Sequence, residues 1–364
     1  MNGRGEANGT GGGALAAALP VPTERFPPIP AGRKAIPYRQ SMLLVVRFLF
    51  DASLVPVAVL VLAGHFGRAD WLLDMTNYFR PHIAGMALLL LLVAIMGGGW
   101  LRLAAAFLVF VAALYPLVAT SLPAATTVSK GNLRLTTANV FGPNRDYARF
   151  EAMVAEIAPD ILVAQEAVGA WPLHLAALPG LPFVSDLGLR YRSHVMVASR
   201  YPIKTTLIGL EPPAVPSYRT GGSLALRIEV DRPAATRPLV IYAIHPQTTR
   251  TYEGWFARNA YLHAIAKRLK AEKPGTDLIV AGDWNTPFWS PVLAEFFAAS
   301  GLQTTERGSW PPPTRFFREA RLPPALGTPI DRVAVSKDIG LADIHIGKPF
   351  GSDHLPVTAD LAIP

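Results

Sequence analysis

Side chains able to hold a metal ion or move a proton recur in this chain where apolar runs stop. Asn139 closes Leu133–Asn139, Glu166 follows Ile161–Gln165, and His245 closes the run that begins at Leu239. Asp283 and Asn285 come just after Leu278–Ala281, Asp331 precedes Arg332–Val335, and Asp353 and His354 precede Val357–Leu361. Strand ends on one rim of a sheet converge, so residues far apart in the chain meet there. The set suits metal-assisted phosphoester hydrolysis. A hard cation such as Mg²⁺ takes oxygen ligands, which Glu166, Asp353 and the amide oxygen of Asn139 supply. Asp283 is the candidate to orient or deprotonate a water. Asn285 either holds the developing oxyanion or fixes Asp283. His354, held in one tautomer by Asp331, donates to a phosphoryl oxygen, and His245 gives a second donor. No serine or cysteine nucleophile is required. The chain has no cysteine, which excludes disulfide frameworks, zinc-thiolate sites and iron–sulfur clusters.

Such residues need a rim of strand ends to hold them. From about Asn132, short β-branched runs alternate with polar loops. The runs just named, with Val195–Ser199 and Leu224–Val230, read as strands. Apolar residues at 147, 150, 153, 154 and 157 have helical spacing, and Trp255–Lys270 and Pro291–Ala299 read as helices. Many strands with a few intervening helices predict a two-sheet α/β sandwich, plausible in size as one domain over residues 130–364.

Taken in order, these residues resemble the endonuclease/exonuclease/phosphatase superfamily, which includes DNase I, abasic-site endonucleases, inositol-phosphate 5-phosphatases and neutral sphingomyelinases. The resemblance covers Leu133 to Ala362. It rests on Asn139, Gln165-Glu166, His245, Gly282-Asp283-Trp284-Asn285, Ile330-Asp331 and Ser352-Asp353-His354-Leu355-Pro356. Singly, Asn139 is a turn cap, Glu166 a solvated loop end, and Asp283 with Asn285 a turn before Pro287; their joint order is the signal. The resemblance implies a four-layer α/β sandwich, Mg²⁺ or Mn²⁺ dependence, and hydrolysis by direct water attack without a covalent intermediate. Two positions depart from the pattern. Ser193 stands where the family often has glycine. Val140-Phe141 stands where nuclease members often carry an acidic residue, which weakens transfer from abasic-site nucleases. His194, His263 and His345 lie outside any motif and read as surface or packing residues. Arg190, Tyr191, Arg192 and Arg219 read as loop residues, facing either a second phosphate or lipid headgroup, or simply solvent. The stretch from Trp310 to Pro329 is a long loop near Asp331 that either shapes the substrate entrance or merely connects.

Of 364 residues, 51% are hydrophobic and 16% charged, against about 25% charged in ordinary soluble proteins. The apolar excess is concentrated in Leu43–Phe66, Ile83–Gly98 and Leu103–Leu122. A membrane-crossing helix needs ~20 such residues, so residues 41–122 are expected to form three transmembrane helices. Arg47 and Asp51, four apart, are expected to pair near the headgroups. Residues 1–40, rich in Gly, Ala and Pro, are expected to be a disordered basic tail. The net charge is +8, and half of that surplus falls within the first 47 residues. By the positive-inside rule this places the N-terminus in the cytoplasm, and three crossings then leave the later domain outside.

The layout resembles bacterial membrane-anchored members of the superfamily, the teicoplanin-resistance type among them, whose catalytic domain faces outward. That resemblance implies a multi-pass protein of the bacterial inner membrane with the lipid bilayer as partner. Its phosphate-containing substrate would be a lipid-linked phosphodiester or phosphoanhydride. Two alternatives compete. A metal-dependent nuclease acting on DNA is disfavoured by the lack of a dense Lys/Arg stripe with interleaved aromatics. A catalytically silent membrane-bound binding module is disfavoured by the cost of gathering carboxylates with no metal.

Overall fold

A computed structural model describes residues 38–97, 99–185, 194–209, 224–233, 235–316 and 322–364. The tail up to residue 37, Gly98, Arg190, Tyr191, Arg192 and Arg219 lie outside the described residues. The chain divides into two compact units, Met1–Val46 and Arg47–Pro364. The first is described only from Tyr38, where a long helix begins.

That helix is α1 (Tyr38–Ala63). It is followed by the short α2 (Trp71–Met75), a 3₁₀ turn (Thr76–Phe79), α3 (Arg80–Gly97) and α4 (Trp100–Ala119). Three stretches, Ser41–Phe66, Trp71–Gly97 and Trp100–Ala119, are long and apolar enough to cross a membrane. Most of their surface is uncovered, with Phe48 70% and Leu108 67% exposed. Apolar area costs about 25 cal/mol per Å² in water, so this surface suggests association with a membrane. One expectation is corrected here. Asp51 pairs with Arg102, at 2.7 and 2.6 Å, and not with Arg47. The start of α4 comes alongside α1, and two parallel guanidinium bonds outweigh a single contact along one helix.

The remaining chain forms two mixed sheets. The strands are β1 (Leu133–Asn139), β2 (Ile161–Gln165), β3 (Phe183–Val184), β4 (Val195–Ser199), β5 (Ile203–Gly209) and β6 (Leu224–Val230). They continue with β7 (Leu239–Ile244), β8 (Asp277–Asp283), β9 (Gln303–Thr304), β10 (Asp331–Val335), β11 (Gly340–Ile346) and β12 (Val357–Ala362). One sheet has the order β11-β12-β1-β2-β4-β3 and the other β5-β6-β7-β8-β10-β9. Each contains one parallel pair, β1 with β2 and β7 with β8.

Side chains alternate across a strand, and the two faces pack different partners. On β7, Leu239, Ile241 and Ala243 join Leu135, Val163 and Val197 of the other sheet in the central core. Val240, Tyr242 and Ile244 point the other way, onto α7 (Tyr252–Lys270) and α8 (Pro291–Ser300). The outer face of the first sheet is covered by α5 (Tyr147–Ile157) and α6 (Trp171–Ala176). The result is the expected four-layer sandwich. Helix starts are capped by Asp146, Thr251 and Ser290, each accepting a backbone N–H; such a cap stabilises a helix by about 1 kcal/mol.

Candidate active site

The two parallel pairs bring strand ends to one rim. Asn139 lies opposite Gln165 at the ends of β1 and β2. Ile244 lies opposite Gly282 at the ends of β7 and β8. The start of β10 runs antiparallel to β8, so Asp331 faces Asp283. β12 runs antiparallel to β1, which delivers the preceding Asp353 and His354 to the same place.

Asp283 is the hub. Its Oδ2 accepts from Asn139 Nδ2 at 3.1 Å and lies 3.6 Å from His245 Nε2 and 3.7 Å from His354 Nε2. Its Oδ1 accepts from the Asn285 backbone N–H at 2.9 Å. His354 Nδ1 lies 2.8 Å from Asp331 Oδ2. Asn139 Nδ2 also donates to Glu166 Oε1 at 3.1 Å, and Glu166 Oε2 accepts from the Gly142 amide at 2.9 Å. The Asn139 side-chain oxygen accepts from Phe141 N–H. Ser352 joins the set by donating to the Asn139 carbonyl. With Asp353, which lines the same groove as Glu166, Asp283 and His354, all eight residues singled out from the sequence are in one place. The Asn285 side chain donates to the Pro246 carbonyl, so it is the backbone amide of Asn285 that fixes Asp283.

The backbone here is bent into uncommon shapes. Glu166 (φ 56°), Asn285 (φ 46°), Phe141 (φ 57°) and His194 (φ 55°) are left-handed, at a cost of about 1–3 kcal/mol each. All four line one groove of about 600 Å³, together with His245, Asp283, Asp353 and His354. Arg145, Arg250 and Arg315 line it as well. These arginines carry no sequence motif. Arg315 comes from the Trp310–Pro329 loop, and its nearness to Asp331 in the chain was the one available signal. His194 is a correction: it belongs to the groove, because its left-handed backbone precedes β4 at the rim.

Electrostatics differ between the carboxylates. Burial alone would raise the Glu166 carboxyl, but His245, the Gly142 amide, Asn139 and His354 hold it below its usual range. Burial, reinforced by Asp331, raises Asp283, the two histidines opposing. Burial would lower His354, yet Asp331 and Asp283 push it up to about 9. The groove thus presents a deprotonated Glu166, a more basic Asp283 and a charged His354 at neutral pH.

The donors also fit a hard divalent ion. Asp353 Oδ1 is buried and accepts no hydrogen bond from a described residue, while its Oδ2 lies 3.2 Å from Arg315 Nη2. A buried, unpartnered carboxylate oxygen beside other oxygen donors is what such an ion requires. Asp283, Asp331 and His354 form a tight group, with ligand atoms within 4.8 Å of one another.

The profile of the Endonuclease/Exonuclease/phosphatase family matches residues 136–354. Among solved structures, an endonuclease/exonuclease/phosphatase from Bacteroides vulgatus is 18% identical. It covers 64% of this chain and 99% of its own, with a TM-score of 0.52, and shares the fold. One from Beutenbergia cavernae is 22% identical over 64% of this chain and 72% of its own, TM-score 0.49. Sphingomyelinase C from Streptomyces griseocarneus is 17% identical over 63% of this chain and 99% of its own, TM-score 0.48. No curated protein matches the sequence.

Proposed function

Because this chain belongs to the endonuclease/exonuclease/phosphatase family of divalent-metal-dependent phosphoester hydrolases, we propose that it cleaves a phosphodiester or phosphoanhydride in a lipid-linked substrate. Its apolar helices anchor it in a bacterial inner membrane, with the two-sheet head outside the cytoplasm. The observation that carries the reaction is the convergence of Asn139, His245 and His354 on Asp283, with Glu166 joined to the cluster through Asn139.

Asp283 removes a proton from water, the resulting hydroxide attacks phosphorus, and the P–O bond to the leaving group breaks, the departing oxygen taking up a proton. The raised proton affinity of Asp283 suits the first of these steps. His354, kept charged by Asp331, and His245 donate to the phosphoryl oxygens as charge builds. Glu166, Asp353 and Asn139 would hold Mg²⁺ or Mn²⁺. When bound, the ion neutralises charge on the phosphoryl group. Arg145, Arg250 and Arg315 on the groove wall add positive charge for an anionic substrate.

Support for a lipid-linked substrate comes from the groove's surroundings. Pro246, Gln247, Thr248 and Asn285 line the groove, and Thr249 and Asn285 bond to Trp71 and Tyr78, in the segment between α1 and α3. The basic N-terminal segment supports the outward orientation.

The test is turnover of the full chain in detergent micelles with Mg²⁺, comparing lipid pyrophosphates, phospholipids and plasmid DNA. Release of phosphate or headgroup from a lipid is the expected result. Plasmid nicking without lipid turnover would replace this reading with the nuclease. Mg²⁺ binding with no turnover on any substrate would leave a binding module.

A further inference from the structure

The segment between α1 and α3 carries Arg68, Asp70 and Asp74. In the structure it is embedded in the head. Asp74 is 1% exposed, and its Oδ2 lies 2.5 Å from Arg258 Nη2, itself fully buried on α7. The same carboxylate accepts from Trp255 Nε1 at 3.2 Å, Ser290 Oγ at 2.8 Å and Asn77 Nδ2 at 3.0 Å. Arg258 in turn donates to the Asn285 carbonyl at 3.0 Å and to Thr286 Oγ1 at 2.8 Å. Tyr78 hydroxyl donates to that same carbonyl and accepts from Thr249. Trp71 Nε1 donates to the Thr249 carbonyl at 2.8 Å.

Asn285 is the residue whose backbone N–H fixes Asp283 and whose side chain holds Pro246. Its left-handed backbone is strained and persists only if its surroundings over-determine it. Two donors on one carbonyl, both tied to the inter-helix segment, do that.

We propose that Asp74 and Tyr78 are positioning residues for the catalytic loop, so that the membrane part of the chain is a working component of the active site. They act through Arg258 and Asn285 on the orientation of Asp283. The inference rests on the phosphoester hydrolase reading of the groove.

The experiment compares full-length wild type with Tyr78→Phe and Asp74→Asn in detergent micelles, on bis(p-nitrophenyl) phosphate with Mg²⁺. Arg68→Ala is the control, since Arg68 lies in the same segment but pairs with Glu295 on α8, outside the catalytic loop. Tyr78→Phe is expected to lower kcat about tenfold, equivalent to ~1.4 kcal/mol in barrier, with KM unchanged and the thermal midpoint retained. Asp74→Asn is expected to lower kcat further, and Arg68→Ala to leave kcat at the wild-type value. Hydrogen exchange of the 282–290 backbone supplies a readout independent of turnover, and is expected to accelerate in Tyr78→Phe. Wild-type kcat in both variants, or a loss matched by Arg68→Ala, overturns the proposal. A wild type with no turnover overturns the hydrolase reading instead. Exchange then decides the positioning claim, and an unchanged rate over 282–290 refutes it.

Discussion

Asp283 gathers contacts from Asn139, His245, His354 and Asn285, so its loss should be felt in rate before stability. Asp283→Ala is expected to reduce kcat by about 10²–10⁴-fold, with circular dichroism unchanged. The His354–Asp331 pair makes a pH prediction. Its folded pKa is raised to about 9, so its contribution to stability is complete below the unfolded value of about 6.5 and disappears as pH rises through about 9. In the metal-free protein, nitrogen NMR should show the His354 ring charged well above neutrality, and Asp331→Asn should bring its titration down. The residue scale was also the most legible in sequence, since Asn139, Glu166, Asp283 and His354 stand at visible strand ends. Hidden at this scale were the conformations: no residue type announces that Glu166 is left-handed, and the turn that imposes it is set by contacts across the sheet.

At the scale of elements, visibility followed burial. β1, β2, β4 and β6 have the bounds expected from their apolar runs. The strands left unread, β3, β5, β9 and β11, are the four sheet edges. An edge strand has one neighbour, and β5 alternates half-buried and exposed positions such as Lys204 and Thr206, so it offers no continuous apolar signal. Gly282 shows what the joining of elements demands. It sits at φ 155°, and a Cβ there would collide with the Ile244 carbonyl of the neighbouring strand. Gly282→Ala is expected to destabilise the head by about 2–4 kcal/mol and to displace Asp283, giving a lower urea midpoint and lost turnover together.

At the scale of the whole molecule, sequence separated an apolar half from a catalytic half, and the structure ties them together. Hydropathy reveals helices that suit lipid; it says nothing of a buried pair such as Asp74 and Arg258, whose partners lie 184 positions apart. Removing one member of a buried pair leaves an uncompensated charge, at about 3–5 kcal/mol. Asp74→Ala should therefore lower the thermal midpoint of the head although Asp74 lies outside it in sequence, while Asp51→Ala, breaking the exposed pair with Arg102, should hardly move it. The order of strands carries a consequence for biosynthesis. β12 follows every other strand in the chain yet is inserted between β11 and β1. A nascent polypeptide whose β12 has not yet paired exposes a bare β1 flank, and Asp353 and His354, just ahead of β12, are not yet held at the rim. Such an intermediate has an open strand edge that invites self-association until β12 pairs.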